Sequence, residues 1–177
     1  SAYFRKPEGL RLKISDYDRA APIGTGNVKA GLNYAMSLYA SADAHAKGYD
    51  ENLYPDPATR TSVEETGGAN VFFLKGKTLV TPLSDSILPS ITKRSLLYLA
   101  KNVLGYETVE RRILLDELGD FEEAGLCGTA AVVSPIAEID RGEKTYRYRV
   151  GENGGTETLR RLLKAVQTGD CLLYTSP

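Results

Sequence analysis

Gly24-Thr-Gly-Asn-Val-Lys-Ala-Gly-Leu-Asn-Tyr34 sets one lysine, Lys29, among three glycines and two asparagines, directly ahead of a long alanine-rich segment. Small neighbours let another body approach the backbone and the lysine stem closely. That is a setting for a working amine rather than a solvated charge. The segment behind it, 32 to 47, reads as a helix: Ala35, Leu38, Tyr39, Ala42 and Ala46 recur at intervals of three and four, and Gly48 supplies a stop. A flexible surface loop carrying an ordinary lysine has the same local composition, so the rest of the chain decides between the two.

Lysine amines do covalent work by attacking carbonyls as Schiff bases. Pyridoxal phosphate is the cofactor that most often uses this chemistry. It requires two further parts, a carboxylate for the pyridine nitrogen and a set of amides for the phosphate.

With 177 residues, 42% of them apolar and 25% charged, the chain can build one soluble domain with a real core. A formal charge of -1 argues against a broad nucleic-acid surface, which needs a basic excess. No apolar run is long enough to span a bilayer and no signal peptide is evident, so no membrane partner is expected and the cytosol is the default location. Cys127 and Cys171 stand far apart and indicate neither a disulfide framework nor a zinc site. The only histidine, His45, falls late in the first helix, where a structural role with a favourable dipole interaction is the simplest reading. No metal site and no Ser/His/Asp triad can be assembled around it. The start at Ser1, without methionine, reads as the middle of something longer. Residues 171 to 177 resemble translated adapter or vector sequence and are set aside.

Leu10, Leu12 and Ile14 alternate as a short half-buried strand, and further strands are expected over 51 to 54 and 61 to 64. Val71-Phe-Phe-Leu74, Lys75-Gly-Lys77 and Thr78-Leu-Val-Thr81 make a hairpin. Thr92 would cap a helix over 93 to 103 with Leu96, Leu97, Leu99 and Ala100 buried. A strand over 107 to 115 and a short acidic helix over 116 to 124 follow. The stretch 126 to 133 starts as a bend and ends as a strand interrupted by Ser134-Pro135. Short strands flank the Asp140-Arg-Gly142 turn, and a last helix covers 156 to 167 with Leu159, Leu162, Leu163 and Val166 on one side. The whole reads as one strand-rich α/β domain without repeats.

Besides Lys29, this reading offers Glu65 ahead of Gly67-Gly68, the helix start at Ile91-Thr92 with its unpaired amides, and the bend Gly128-Thr129-Ala130. Amine, carboxylate and two phosphate-holding bends are the parts named above. Five motifs then carry a specific resemblance: Gly26-Asn-Val-Lys-Ala-Gly-Leu-Asn-Tyr34, Glu65-Thr-Gly-Gly-Ala-Asn-Val-Phe-Phe73, Leu79-Val-Thr-Pro-Leu83, Ile87-Leu-Pro-Ser-Ile-Thr92 and Gly128-Thr-Ala-Ala-Val-Val-Ser-Pro-Ile136. In this order they resemble the C-terminal large domain of the class IV aminotransferases, most closely the branched-chain amino acid aminotransferases.

The resemblance implies the α/β pseudo-barrel of the fold type IV pyridoxal-phosphate enzymes over residues 1 to 170, with flanking helices and without the smaller N-terminal domain. It also implies a homodimer, and L-leucine, L-isoleucine or L-valine with 2-oxoglutarate as substrates. Lys29 would hold pyridoxal phosphate covalently and shuttle the proton, Tyr34 would bond the phenolic oxygen, and Glu65 would pair with the pyridine nitrogen. Leu88 would pack on the ring. Ile91, Thr92 and Thr129 would hold the phosphate, with Thr129 and Ala130 also facing the substrate carboxylate. Glu64 is expected to be structural and Lys47, Lys75 and Lys77 solvated. Leu32 and Ser90 depart from the glycines frequent in the family. Ala131 and Ser134 stand where some animal relatives carry paired cysteines, so that redox switch is not expected. Without its N-terminal domain the fragment would have little activity. A D-amino acid aminotransferase or an aminodeoxychorismate lyase of the same fold is the alternative, and a non-catalytic scaffold is the alternative of another class.

Overall fold

The computed structural model describes residues 6–169; the stretch 171–177, with Cys171, lies outside them. The described residues hold nine strands: β1 (Leu10–Ile14), β2 (Glu51–Pro55), β3 (Val63–Thr66), β4 (Asn70–Lys75), β5 (Thr78–Pro82), β6 (Glu107–Arg111), β7 (Glu123–Gly128), β8 (Val132–Asp140) and β9 (Thr145–Arg147). Three α-helices accompany them: α1 (Gly31–Ala46), α2 (Ile91–Asn102) and α3 (Gly155–Thr168). The strands follow the order β3-β2-β1-β8-β7-β4, and β3 pairs again with β4, so these six close on themselves. β5 and β6 extend from β4, and β9 pairs with β8. This is the strand-rich barrel with flanking helices that the sequence implies.

Strand periodicity of two sorts the core into two layers. Val71 and Phe73 of β4 join Leu10, Leu12, Leu53, Leu126 and Ile136 in the barrel cluster. Phe72 and Leu74, one residue out of phase, pack instead with Leu96, Leu99, Leu159 and Leu163 beneath α2 and α3. Gly125 on β7 serves this second layer, because a Cβ there would lie 2.4 Å from the Phe72 ring. Among the described residues no helix is long and apolar enough to cross a membrane.

Several local expectations are corrected. The stripe Ala35, Leu38, Tyr39, Ala42 and Ala46 of α1 is exposed, Leu38 at 71% and Tyr39 at 70%. The buried face carries Asn33, Ser37, Ala40 and Ala44. Small residues let the helix sit close to β2, where the Asn52 side chain donates to the Ala40 carbonyl at 2.7 Å. Ser90, not Thr92, caps α2, its hydroxyl accepting from the Lys93 amide at 3.2 Å. The acidic stretch forms a 3-10 helix only over Leu115–Asp120, because Glu123 is drawn into β7, where its carboxylate meets Arg149 and the start of α3. Ser134-Pro135 does not interrupt β8. Pairing of β8 with β1 begins at Ile136, so the missing proline N–H deprives no partner in β1. β6 stops at Arg111, after which Ile113 enters the barrel core.

Candidate active site

Four segments meet over one cleft of about 420 Å³: the loop before α1, the turn between β3 and β4, the approach to α2 and the tip of the β7–β8 hairpin. Lys29, Tyr34, Glu65, Leu88, Ile91, Thr129 and Ala130, all singled out from sequence, line it. Thr92 does not; it is half-buried one residue beyond Ile91. The amides of Ile91 and Thr92 belong to the first turn, which has no intrahelical acceptors. Ser90 takes up the next one, that of Lys93.

Lys29 is exposed on the loop that the structure pins from both sides. The Asn33 side chain donates to the carbonyls of Thr25 at 2.7 Å and Val28 at 2.9 Å. Tyr34 follows on the first turn of α1, its carbonyl accepting from the Ser37 hydroxyl at 2.8 Å.

Glu65 is 4% exposed and held at both oxygens. Oε1 accepts from the Leu88 amide at 3.0 Å and forms an ion pair with Arg19 Nη2, also at 3.0 Å, and Oε2 accepts from Asn70 Nδ2 at 2.8 Å. A carboxylate oxygen can accept twice, so Oε2 keeps room for one more donor. Burial pushes the Glu65 carboxyl up to about 7; the Arg19 guanidinium and the Leu88 amide oppose that rise and Glu64 adds to it. Glu64 itself is 2% exposed and accepts from the hydroxyls of Ser84 and Ser86, a structural tie as expected. Cys127 backs the cleft, but burial raises its thiol to about 12, which removes it as a nucleophile.

The tip that presents Thr129 and Ala130 ends in Val132 at φ 53, a left-handed conformation that is rare for a β-branched residue. Val132 does not line the cleft but packs against the core beneath the helices, two residues after Ala130. Arg19 and Asn70 line the cleft and were not legible as site residues. Arg19 stands ten positions before Lys29 in a stretch of mixed charge, and nothing local marks it as the guanidinium that is buried among the described residues.

Residues 1–139 match the family described as amino-transferase class IV. The chain belongs to this family. Within it, the branched-chain-amino-acid aminotransferase of Helicobacter pylori is 47% identical over 173 residues, covering 96% of this chain and 51% of its own length. A crystal structure of the branched-chain amino acid aminotransferase from Thermobaculum terrenum in its PLP form superposes with a TM-score of 0.85 at 34% identity, over 98% of this chain and 55% of that one. The branched-chain aminotransferase of Thermoproteus uzoniensis with norvaline gives 0.80 at 31% identity, over 94% and 54%. The chain thus spans about half the length of the curated class IV relatives it matches.

Proposed function

We propose that this chain is the cofactor-carrying large domain of a branched-chain amino acid aminotransferase, moving amino groups from L-leucine, L-isoleucine or L-valine to 2-oxoglutarate. One observation carries the reading: a lysine amine and a buried carboxylate with a free acceptor position line the same cleft. The donor set fits pyridoxal phosphate, since amine, carboxylate, first-turn amides and the Thr129 bend each match one of its polar groups. When bound, that cofactor supplies an aldehyde for amines and a ring that accepts the electron pair released at Cα.

In this reading Lys29 is the amine that would hold the cofactor through its aldehyde, with loss of water, and that would move the Cα proton once a substrate amine has displaced it. Glu65 would pair with the ring nitrogen and keep it protonated, where charge matters only as the Cα bond breaks. Tyr34 donates to the phenolic oxygen, and Leu88 packs on the ring. The amides of Ile91 and Thr92 and the Thr129 hydroxyl hold the phosphate, while Thr129 and Ala130 face the substrate carboxylate. A smaller N-terminal domain, a second copy completing the site and a cytosolic location belong to the same proposal.

The test uses the chain completed with the amino-terminal half of a relative and loaded with pyridoxal phosphate. L-leucine should bleach the bound cofactor's absorbance, D-alanine should not, and Lys29→Ala should abolish the response. A response to D-alanine alone would move the assignment to the D-amino acid enzymes of the same fold.

A further inference from the structure

We propose that Arg19 is a positioning residue that holds the Lys29 loop and the Glu65 carboxylate in one register and keeps Glu65 a hydrogen-bond acceptor. The identity of the group facing Glu65 rests on the function proposed above; the clamp does not.

Arg19 is 7% exposed and joins three segments distant in sequence. Its Nη2 lies 3.0 Å from Glu65 Oε1. The same guanidinium donates to the Gly26 carbonyl, at 3.3 Å from each Nη, and Nη2 also donates to the Ser86 carbonyl. A planar fork can serve several acceptors at fixed angles, whereas an ammonium is a point charge. Little slack exists around it. A Cβ on Gly26 would lie 2.7 Å from the Ser86 carbonyl oxygen and 2.8 Å from Ala20 Cβ, so the lysine loop rests directly on the segment leading to Leu88. Displacing the guanidinium therefore releases Gly26, three residues before Lys29, and Glu65 together.

The electrostatic side follows from the same contact. The titratable groups facing Glu65 are Arg19 and Lys93, which favour its ionised form, Glu64, which disfavours it, and the Cys127 thiol. Among the described residues, Arg19 is the cation that forms an ion pair with it. An opposite charge at hydrogen-bond distance moves a carboxyl by roughly one to three pH units. Without it, burial leaves Glu65 protonated through neutral pH, presenting a hydroxyl where the proposed ring nitrogen needs an acceptor. Arg19 Nε is buried with no partner. An apolar side chain filling this place for structure alone would not carry that desolvation penalty.

The test uses two readouts on the ligand-free 177-residue chain, its Arg19→Lys and Arg19→Gln variants, and Glu65→Gln for assignment. With carboxyl-labelled glutamate, the Glu65 resonance is followed from about pH 5 to pH 9. Arg19→Gln should raise its midpoint by about one unit or more, and Arg19→Lys by less. Amide exchange at Val28 and Ala30 should quicken in both variants, because lysine keeps the charge and loses the fork. An unmoved midpoint in Arg19→Gln, or unchanged exchange in both variants, would overturn the proposal. Should Arg19→Gln fail to fold, Arg19→Lys still decides: faster exchange with a small midpoint shift supports the clamp, and wild-type behaviour in both contradicts it. Adding pyridoxal phosphate separates the two claims, since a chain that titrates as expected and takes up no cofactor refutes the functional reading alone.

Discussion

Glu65 is the residue whose setting has the clearest thermodynamic signature. Its folded carboxyl is raised to about 7 from an ordinary value of 4.5, chiefly by burial. Between those values the folded chain binds a proton that the unfolded chain has released. Stability from this group is full below about pH 4.5 and falls as pH rises through about 7, by up to roughly 3 kcal/mol. Urea unfolding of the ligand-free chain should show this decline between pH 5 and pH 8, and Glu65→Gln should flatten it. A wild-type profile as flat as the variant's would contradict the assignment. At this scale the sequence was partly legible. Lys29 and Glu65 announce themselves through small neighbours and motif context. Arg19 and Asn70 do not, because a side chain that orients another is defined by a contact across 46 or 5 positions, without a local pattern.

Elements carry the next two predictions. Glu123 lies on β7, yet caps α3: its carboxylate accepts from the amides of Gly155 at 3.0 Å and Thr156 at 2.8 Å and from Arg149 at 2.8 Å. Burial alone would raise this carboxyl, but Arg149 and the two amides outweigh it and hold it below its ordinary value. The stability it contributes is present above about pH 4.5 and lost as pH falls through the lower folded value. Glu123→Gln should lower unfolding free energy by about 2 kcal/mol at pH 7, and the deficit should shrink towards pH 3 in thermal melts. For α1, Leu38→Lys should change stability by less than about 0.5 kcal/mol, whereas Ala40→Leu should destabilise by roughly 1–3 kcal/mol. A larger loss from Leu38→Lys than from Ala40→Leu would mean that the helix docks on its large-residue face. Periodicity located this helix correctly but did not mark its buried face, since large apolar residues usually point inward and here small ones do. The acidic segment was misread for a related reason: charge suggested a solvated helix, but Glu123 is buried by partners on β9's far side and α3 that no local window contains.

On the scale of the whole molecule, barrel closure explains why the site is where it is. β3 and β4 join through Glu65 opposite Asn70, so the strand pairing that closes the ring also delivers the carboxylate and its amide donor to the cleft. The fold class was readable from alternating strands and ordered motifs. Closure was not, because pairing between β1 and β8 and between β4 and β7 joins segments far apart in the sequence. The central claim is that Lys29 holds pyridoxal phosphate, and borohydride reduction of the chain incubated with that cofactor, followed by peptide mass spectrometry, tests it most directly. The account predicts one phosphopyridoxyl adduct, on the peptide containing Lys29, absent from Lys29→Ala. Label missing from that peptide, or spread equally over Lys47, Lys75 and Lys77, would contradict it.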